Sequence, residues 1–213
     1  MRRLTSLLAL CIMLVAMPMS VSAQFDLSKA LGGLLGSATS NNNQTTVVDP
    51  YKKLAETAPS NSTLNGTWSY QSASFSYIGN NPLASMAVAQ LDPVIADVLT
   101  KLGITRGTAE LKLKSGSGVI SHGGRSLNGE YSYRRSTASI VAKSTIDGKS
   151  VSASGYVKYS SGTLAVLLDV KEVLKAIKSV YPEYAADPNV VLVETMLKDI
   201  GDVFVVGKFV KLK

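Results

Sequence analysis

Leu64-Asn65-Gly66-Thr67-Trp68-Ser69-Tyr70 is the stretch on which the reading of this chain turns. Asn65-Gly66 is turn chemistry, because glycine reaches positive φ without penalty and asparagine tolerates it. The only tryptophan, Trp68, follows two residues later. Residues 67–78 then alternate and carry enough aromatic and β-branched side chains to predict a long first strand. A large ring placed directly after a turn suits the plugging of one end of a barrel or sandwich, which makes Gly66 and Trp68 the candidate structural residues.

Upstream of that point little core is available. Arg2 and Arg3, the apolar run Leu7–Met17 and the small residues Val21-Ser22-Ala23 predict a signal peptide over 1–23. The run is interrupted at Pro18, too soon for a transmembrane helix, so no stable span is expected once the signal is removed. Removal takes Arg2, Arg3 and the single cysteine, Cys11, so the formal charge falls from +7 to +5 and no thiol remains. An exported domain without disulfides depends on its core, which about 150 residues can supply. The positive charge is scattered along the chain, and clustered arginine with interleaved aromatics is missing, so nucleic acid is not an expected partner.

Residues 24–63 read as an N-terminal helix and polar linker. Leu27, Ala30, Leu31, Leu34 and Leu35 form a short apolar stripe, Ser37–Thr46 is polar, and Asp49-Pro50 opens a brief helix to about Ala58. The segment 24–60 is expected to act as a tether that the fold can lose.

Beyond Asn81-Pro82 a helical insertion is expected over 82–102, divided at Asp92-Pro93. From Thr105 the apolar period drops to two. Ala109, Leu111 and Leu113 oppose Glu110, Lys112 and Lys114, and Leu127, Tyr131 and Tyr133 oppose Asn128, Glu130, Ser132 and Arg134. Turns fall at Ser115-Gly116, Gly123-Gly124, Asp147-Gly148 and Ser161-Gly162, the pattern of an antiparallel meander. A second helical insertion spans about 169–200, with Asp169 and Glu172 in capping-box spacing, and a last strand runs over 202–212.

The expected fold class is therefore α+β, mainly β. It is an eight-stranded antiparallel barrel over 64–213, carrying helical insertions and closed by pairing the last strand with the first.

Catalytic constellations are not evident. His122 is the only histidine and sits beside two glycines, and no second histidine or mature cysteine could complete a zinc site. No Gly-x-Ser-x-Gly elbow or glycine-rich phosphate loop occurs. Neither a cofactor nor an enzymatic activity is expected. The candidate ligand-binding lining is the dry face of the meander, Leu111, Leu113, Tyr131, Tyr133 and Val157, with Ala109, Gly129, Ala153 and Gly155 leaving space.

Several motifs together carry a family resemblance. They are Leu64–Tyr70, Lys101-Leu102-Gly103-Ile104, Leu127-Asn128-Gly129-Glu130-Tyr131 and Gly155-Tyr156-Val157-Lys158. The Gly66-x-Trp68 entry is similar to that of lipocalins and their calycin relatives. The wider set resembles an exported Bacteroidales family, domain of unknown function 4923, over residues 60–213. The resemblance implies a lipocalin-like barrel, a periplasmic or outer-membrane address and a small apolar ligand; the space left by the small residues of the inward face points to a medium-length acyl or similarly apolar compound. It transfers no catalytic residue. The competing expectation is a filled barrel serving as a structural or protein-interaction domain with an envelope protein partner.

Overall fold

In the computed structural model, residues 49–212 are described, apart from 102, 187 and 199. The signal peptide, the 27–35 stripe and the 37–46 linker lie outside the described residues. Eight strands close into one antiparallel barrel in sequence order. They are β1 (Gly66–Tyr77), β2 (Ala109–Lys114), β3 (Ser117–His122), β4 (Arg125–Arg134), β5 (Ser139–Ile146), β6 (Lys149–Ser160), β7 (Thr163–Asp169) and β8 (Val203–Lys211). Closure is made by β1 and β8, which pair from Trp68 opposite Lys211 to Tyr77 opposite Val203.

Tight turns make the meander possible. Ser115-Gly116, Gly123-Gly124, Asp147-Gly148 and Ser161-Gly162 all place both residues at positive φ, between 47° and 88°. Two consecutive left-handed residues give the turn whose twist matches that of the flanking strands. The β4–β5 connection is longer, with a 3₁₀ turn at Arg135–Thr137 and Ala138 at φ 54°.

Six α-helices are described. α1 (Pro50–Glu56) and α2 (Asn61–Leu64) precede the barrel, α3 (Pro82–Ala89) and α4 (Asp92–Lys101) join β1 to β2, and α5 (Val170–Val180) and α6 (Pro188–Lys198) join β7 to β8. Side-chain caps start four of them: Asp49 accepts from the Tyr51 amide, Ser60 from Thr63, Asn81 from Leu83 and Ala84, and Asp169 from Glu172. The capping box expected at α5 is only half made. The Glu172 carboxylate turns instead to the backbone amide of Ser154 on β6.

That contact belongs to a pair. Phe75 on β1 donates its amide to the Asp92 carboxylate at 2.6 Å. β1 is paired with β2 only over Gly66–Ser69, and β6 with β7 only over Gly155–Ser160. The overhanging strands would leave amides unpaired, and helix carboxylates accept two of them. The helices thus extend the wall where neighbouring strands stop.

The main core lies within the barrel and continues into α4, α5 and α6 through Ile95, Leu99, Val173, Leu174, Ile177, Val190 and Leu197. A second cluster lies outside the wall. Leu54 of α1 packs with Ala165, Leu167, Phe204 and Val206, while Tyr51 sits 5.3 Å from Tyr156, which contacts Phe204 at 5.6 Å. Residues 50–60, expected to be a tether, thus include a helix packed against the barrel. Outward apolar side chains on β7 and β8 require a cover, and α1 supplies it.

Candidate functional site

One end of the barrel is closed by the opening stretch itself. Trp68 is fully buried, and its indole nitrogen donates to the Leu64 carbonyl at 2.9 Å. Its ring meets Tyr159 edge-on at 6.1 Å, and the Lys211 ammonium lies 5.3 Å from the ring centroid. Tyr133 donates its hydroxyl to the Pro59 carbonyl at 2.8 Å, and the Tyr159 amide donates to Thr57 at 2.8 Å. Residues 57–65 are thereby stitched across this end. Burial pushes the Tyr133 phenol above its ordinary 10.0.

Between this plug and the helix-covered end lies an apolar cavity of about 130 Å³. Its wall comes from β2–β5, β7 and β8: Leu111, Leu113, Ile120, Leu127, Tyr131, Ile140, Ala142, Val166, Leu168, Val205 and Phe209 among others. Ser144 brings a hydroxyl to its edge, and Glu130 and Lys143 stand at the same margin. Such a surface recognises shape and apolarity, with no arranged acid, base or nucleophile. Among the described residues no group of three or more His, Cys, Asp or Glu could hold a metal ion.

Of the five candidate lining residues, Leu111, Leu113 and Tyr131 face this cavity. Tyr133 and Val157 do not. Val157 is fully buried in the packed core, and Tyr133 is drawn to Pro59 at the plugged end. Both share the dry face by period, but the Trp68–Tyr159 packing ends the open space before reaching them. Leu127, on the face that the period assigns, lines the cavity too, and so do Ile120, Ile140, Val166, Val205 and Phe209.

The small residues act differently from their expected role. A Cβ on Gly155 would stand 1.8 Å from the Leu167 carbonyl oxygen, and one on Gly129 would stand 2.7 Å from that of Lys143. These glycines allow strands to approach closely; they do not leave room. Gly118 does leave room. A Cβ there would meet Leu113 at 3.5 Å and Tyr131 at 3.9 Å, ordinary contact distances.

A family model described as a lipocalin-like domain (DUF4923) matches residues 35–205. The chain belongs to that family. No curated protein and no solved structure matches it. The matched span of the lipocalin-like domain begins at residue 35, earlier than the resemblance over 60–213 implied, and it includes α1. Lipocalin-like folds are typically non-catalytic, and lipocalins commonly bind small hydrophobic molecules. Among the described residues no helix is long and apolar enough to cross a membrane.

Proposed function

We propose that this lipocalin-like domain is a non-catalytic binding module for a small apolar molecule, exported to the periplasm or the outer membrane. The observation that carries the reading is the cavity of about 130 Å³ inside the barrel, walled almost wholly by hydrocarbon. An apolar cavity of about 150 Å³ is known to stay dry and to take benzene, so this one has the scale of a single ring or a short alkyl chain. A medium-length acyl chain exceeds it unless part of the chain remains in the opening. The export reading rests on the 1–23 signal pattern.

One observation favours a second reading, a filled barrel that serves as a structural or interaction domain with an envelope partner. Ligand sites usually begin near 300 Å³, and this cavity is smaller.

Two measurements separate the readings. Protein exported by its own host is examined by native mass spectrometry for a bound small molecule. The melting temperature is then followed against benzene and against decanoate. Benzene at about ten times its Kd adds roughly 1.4 kcal/mol, a rise of about 3–6 °C for a domain of this size. Ala142→Leu, which projects into the cavity, should remove that rise. If nothing co-purifies and neither compound moves the melting temperature, the scaffold is the better account.

A further inference from the structure

We propose that the cavity is reached through the side of the barrel, between β4 and β5, and that the ligand is an uncharged molecule of about benzene size. Its single hydrogen-bonding group would lie at the Ser144 lip. This rests on the binding reading above.

The opening follows from the strand register. β4 and β5 are paired from Arg134 opposite Ser139 only as far as Gly129 opposite Ser144. β4 continues to Arg125 while paired with β3 alone, and β5 continues to Ile146 while paired with β6 alone. Beyond the Gly129–Ser144 rung the wall therefore divides. A wide, open depression occupies the division, and it shares Gly118, Leu127, Gly129, Glu130, Lys143 and Ser144 with the inner cavity. Both ends of the barrel are meanwhile covered, one by Trp68, Tyr159 and residues 57–65, the other by α3–α6 with Ile95, Leu99 and Ile177 in the core.

Among the described residues, one side-chain bond joins the two strands beyond the rung. The Ser144 hydroxyl donates to the Asn128 carbonyl at 2.8 Å, one residue past the last rung. It stands where the next ladder bond would be, and one hydroxyl bond is a weak substitute for a continued ladder. Gly129 lets the strands close up tightly at the rung itself, because any Cβ would strike the Lys143 carbonyl. The wall is thus fixed at Gly129, and the Ser144 hydroxyl bridges the strands just beyond it.

Ligand chemistry follows from the lining. Inside, hydrocarbon excludes a charged group, since an unpaired charge in such a space is strongly disfavoured. At the margin, Glu130 and Lys143 are cross-strand register partners of opposite sign. The Ser144 hydroxyl is left as the polar feature shared by cavity and opening.

The test uses 4-fluorobenzyl alcohol followed by fluorine NMR, with 4-fluorobenzoate alongside. Asn128→Cys/Thr145→Cys places thiols at the first unpaired positions after the rung. The staple should slow both association and dissociation at least tenfold, leave Kd within about twofold, and be reversed by reduction. Ser144→Ala, which keeps the fold and removes the latch, should speed dissociation about threefold or more. The benzoate should bind at least tenfold more weakly than the alcohol. Binding with rates indifferent to the staple and to Ser144→Ala overturns the side entrance and leaves the binding reading intact. Equal affinity for the benzoate overturns the ligand class. No binding of the alcohol by a wild-type protein that does respond to benzene overturns this proposal and leaves the binding reading intact.

Discussion

Replacing Trp68 by alanine should cost about 3–5 kcal/mol, the range for truncating a large buried aromatic in a core that cannot collapse around the gap. The structure indicates the upper part of that range. The ring has no exposed surface, it packs edge-on against Tyr159, and its N–H is held by the Leu64 carbonyl at 2.9 Å. An edge-on aromatic pair is worth roughly 0.5–1.5 kcal/mol beyond its buried area, and a buried carbonyl left without its donor costs about 1–3 kcal/mol. Trp68→Phe separates these parts. It retains most of the ring and deletes the donor, so about 2 kcal/mol is expected, roughly half the alanine effect. Urea unfolding followed by circular dichroism measures both, since neither variant keeps the indole. The denaturant slope should not change. An alanine penalty under about 1.5 kcal/mol, or wild-type emission resembling free indole, would refute the plug.

The remaining predictions concern the outer cover, the glycines and the alkaline limb. Leu54→Ala should cost about 2–3 kcal/mol, and a chain starting at residue 61 should melt lower than one starting at residue 49, because α1 covers β7 and β8; equal melting temperatures would return α1 to the tether. Gly129→Ala should be far more destabilising than Gly118→Ala, since only the first meets backbone within 3 Å. Similar urea midpoints for the two would contradict the close-approach reading. Burial, aided by a hydrogen bond to Asp202, raises the Tyr51 phenol well above 10.0, and burial with the Asp202 and Asp169 carboxylates raises Tyr156. The folded state holds these protons longer than the unfolded chain, so their contribution is complete below pH 10 and is lost as pH rises through the folded values. Lys158, lowered mainly by burial, acts oppositely, adding stability as pH climbs from its lowered value toward 10.5. Urea midpoints at about pH 8, 10 and 11 should fall at the last step, and Tyr51→Phe should lessen the fall. An unchanged fall in that variant would remove Tyr51 from the account.

The eight strands were legible because each signal was local. Asn65-Gly66, Asp147-Gly148 and the Ser-Gly pairs mark turns by backbone chemistry, and Leu111, Leu113, Tyr131 and Tyr133 mark a face by period two. Closure between β1 and β8 followed from the strand count and the need to remove edges. The site was legible only in part, because period two gives the side of the wall and not the depth along it. Tyr131 and Tyr133 share a face, yet one lines the cavity and the other is tied to Pro59. Roles that depend on distant partners were not readable. Asp92 and Glu172 appear as helix-start residues, and nothing adjacent signals the amides of Phe75 and Ser154 that they accept from. Glycine is ambiguous in the same way: Gly118 opens space, whereas Gly129 and Gly155 admit a neighbouring carbonyl.

The central claim is an apolar cavity at mid-barrel that a small molecule can enter. Methyl NMR of the wild-type protein titrated with benzene tests it most directly. Saturable shifts are predicted at the methyls of Leu111, Ile120, Leu127, Ala142 and Val166, which line the cavity, with little change at Ile95, Leu99 and Val190 under the helices. In Ala142→Leu the lining methyls should no longer respond. Lining methyls that stay unmoved while benzene perturbs only the helix-covered end or the surface would contradict the account.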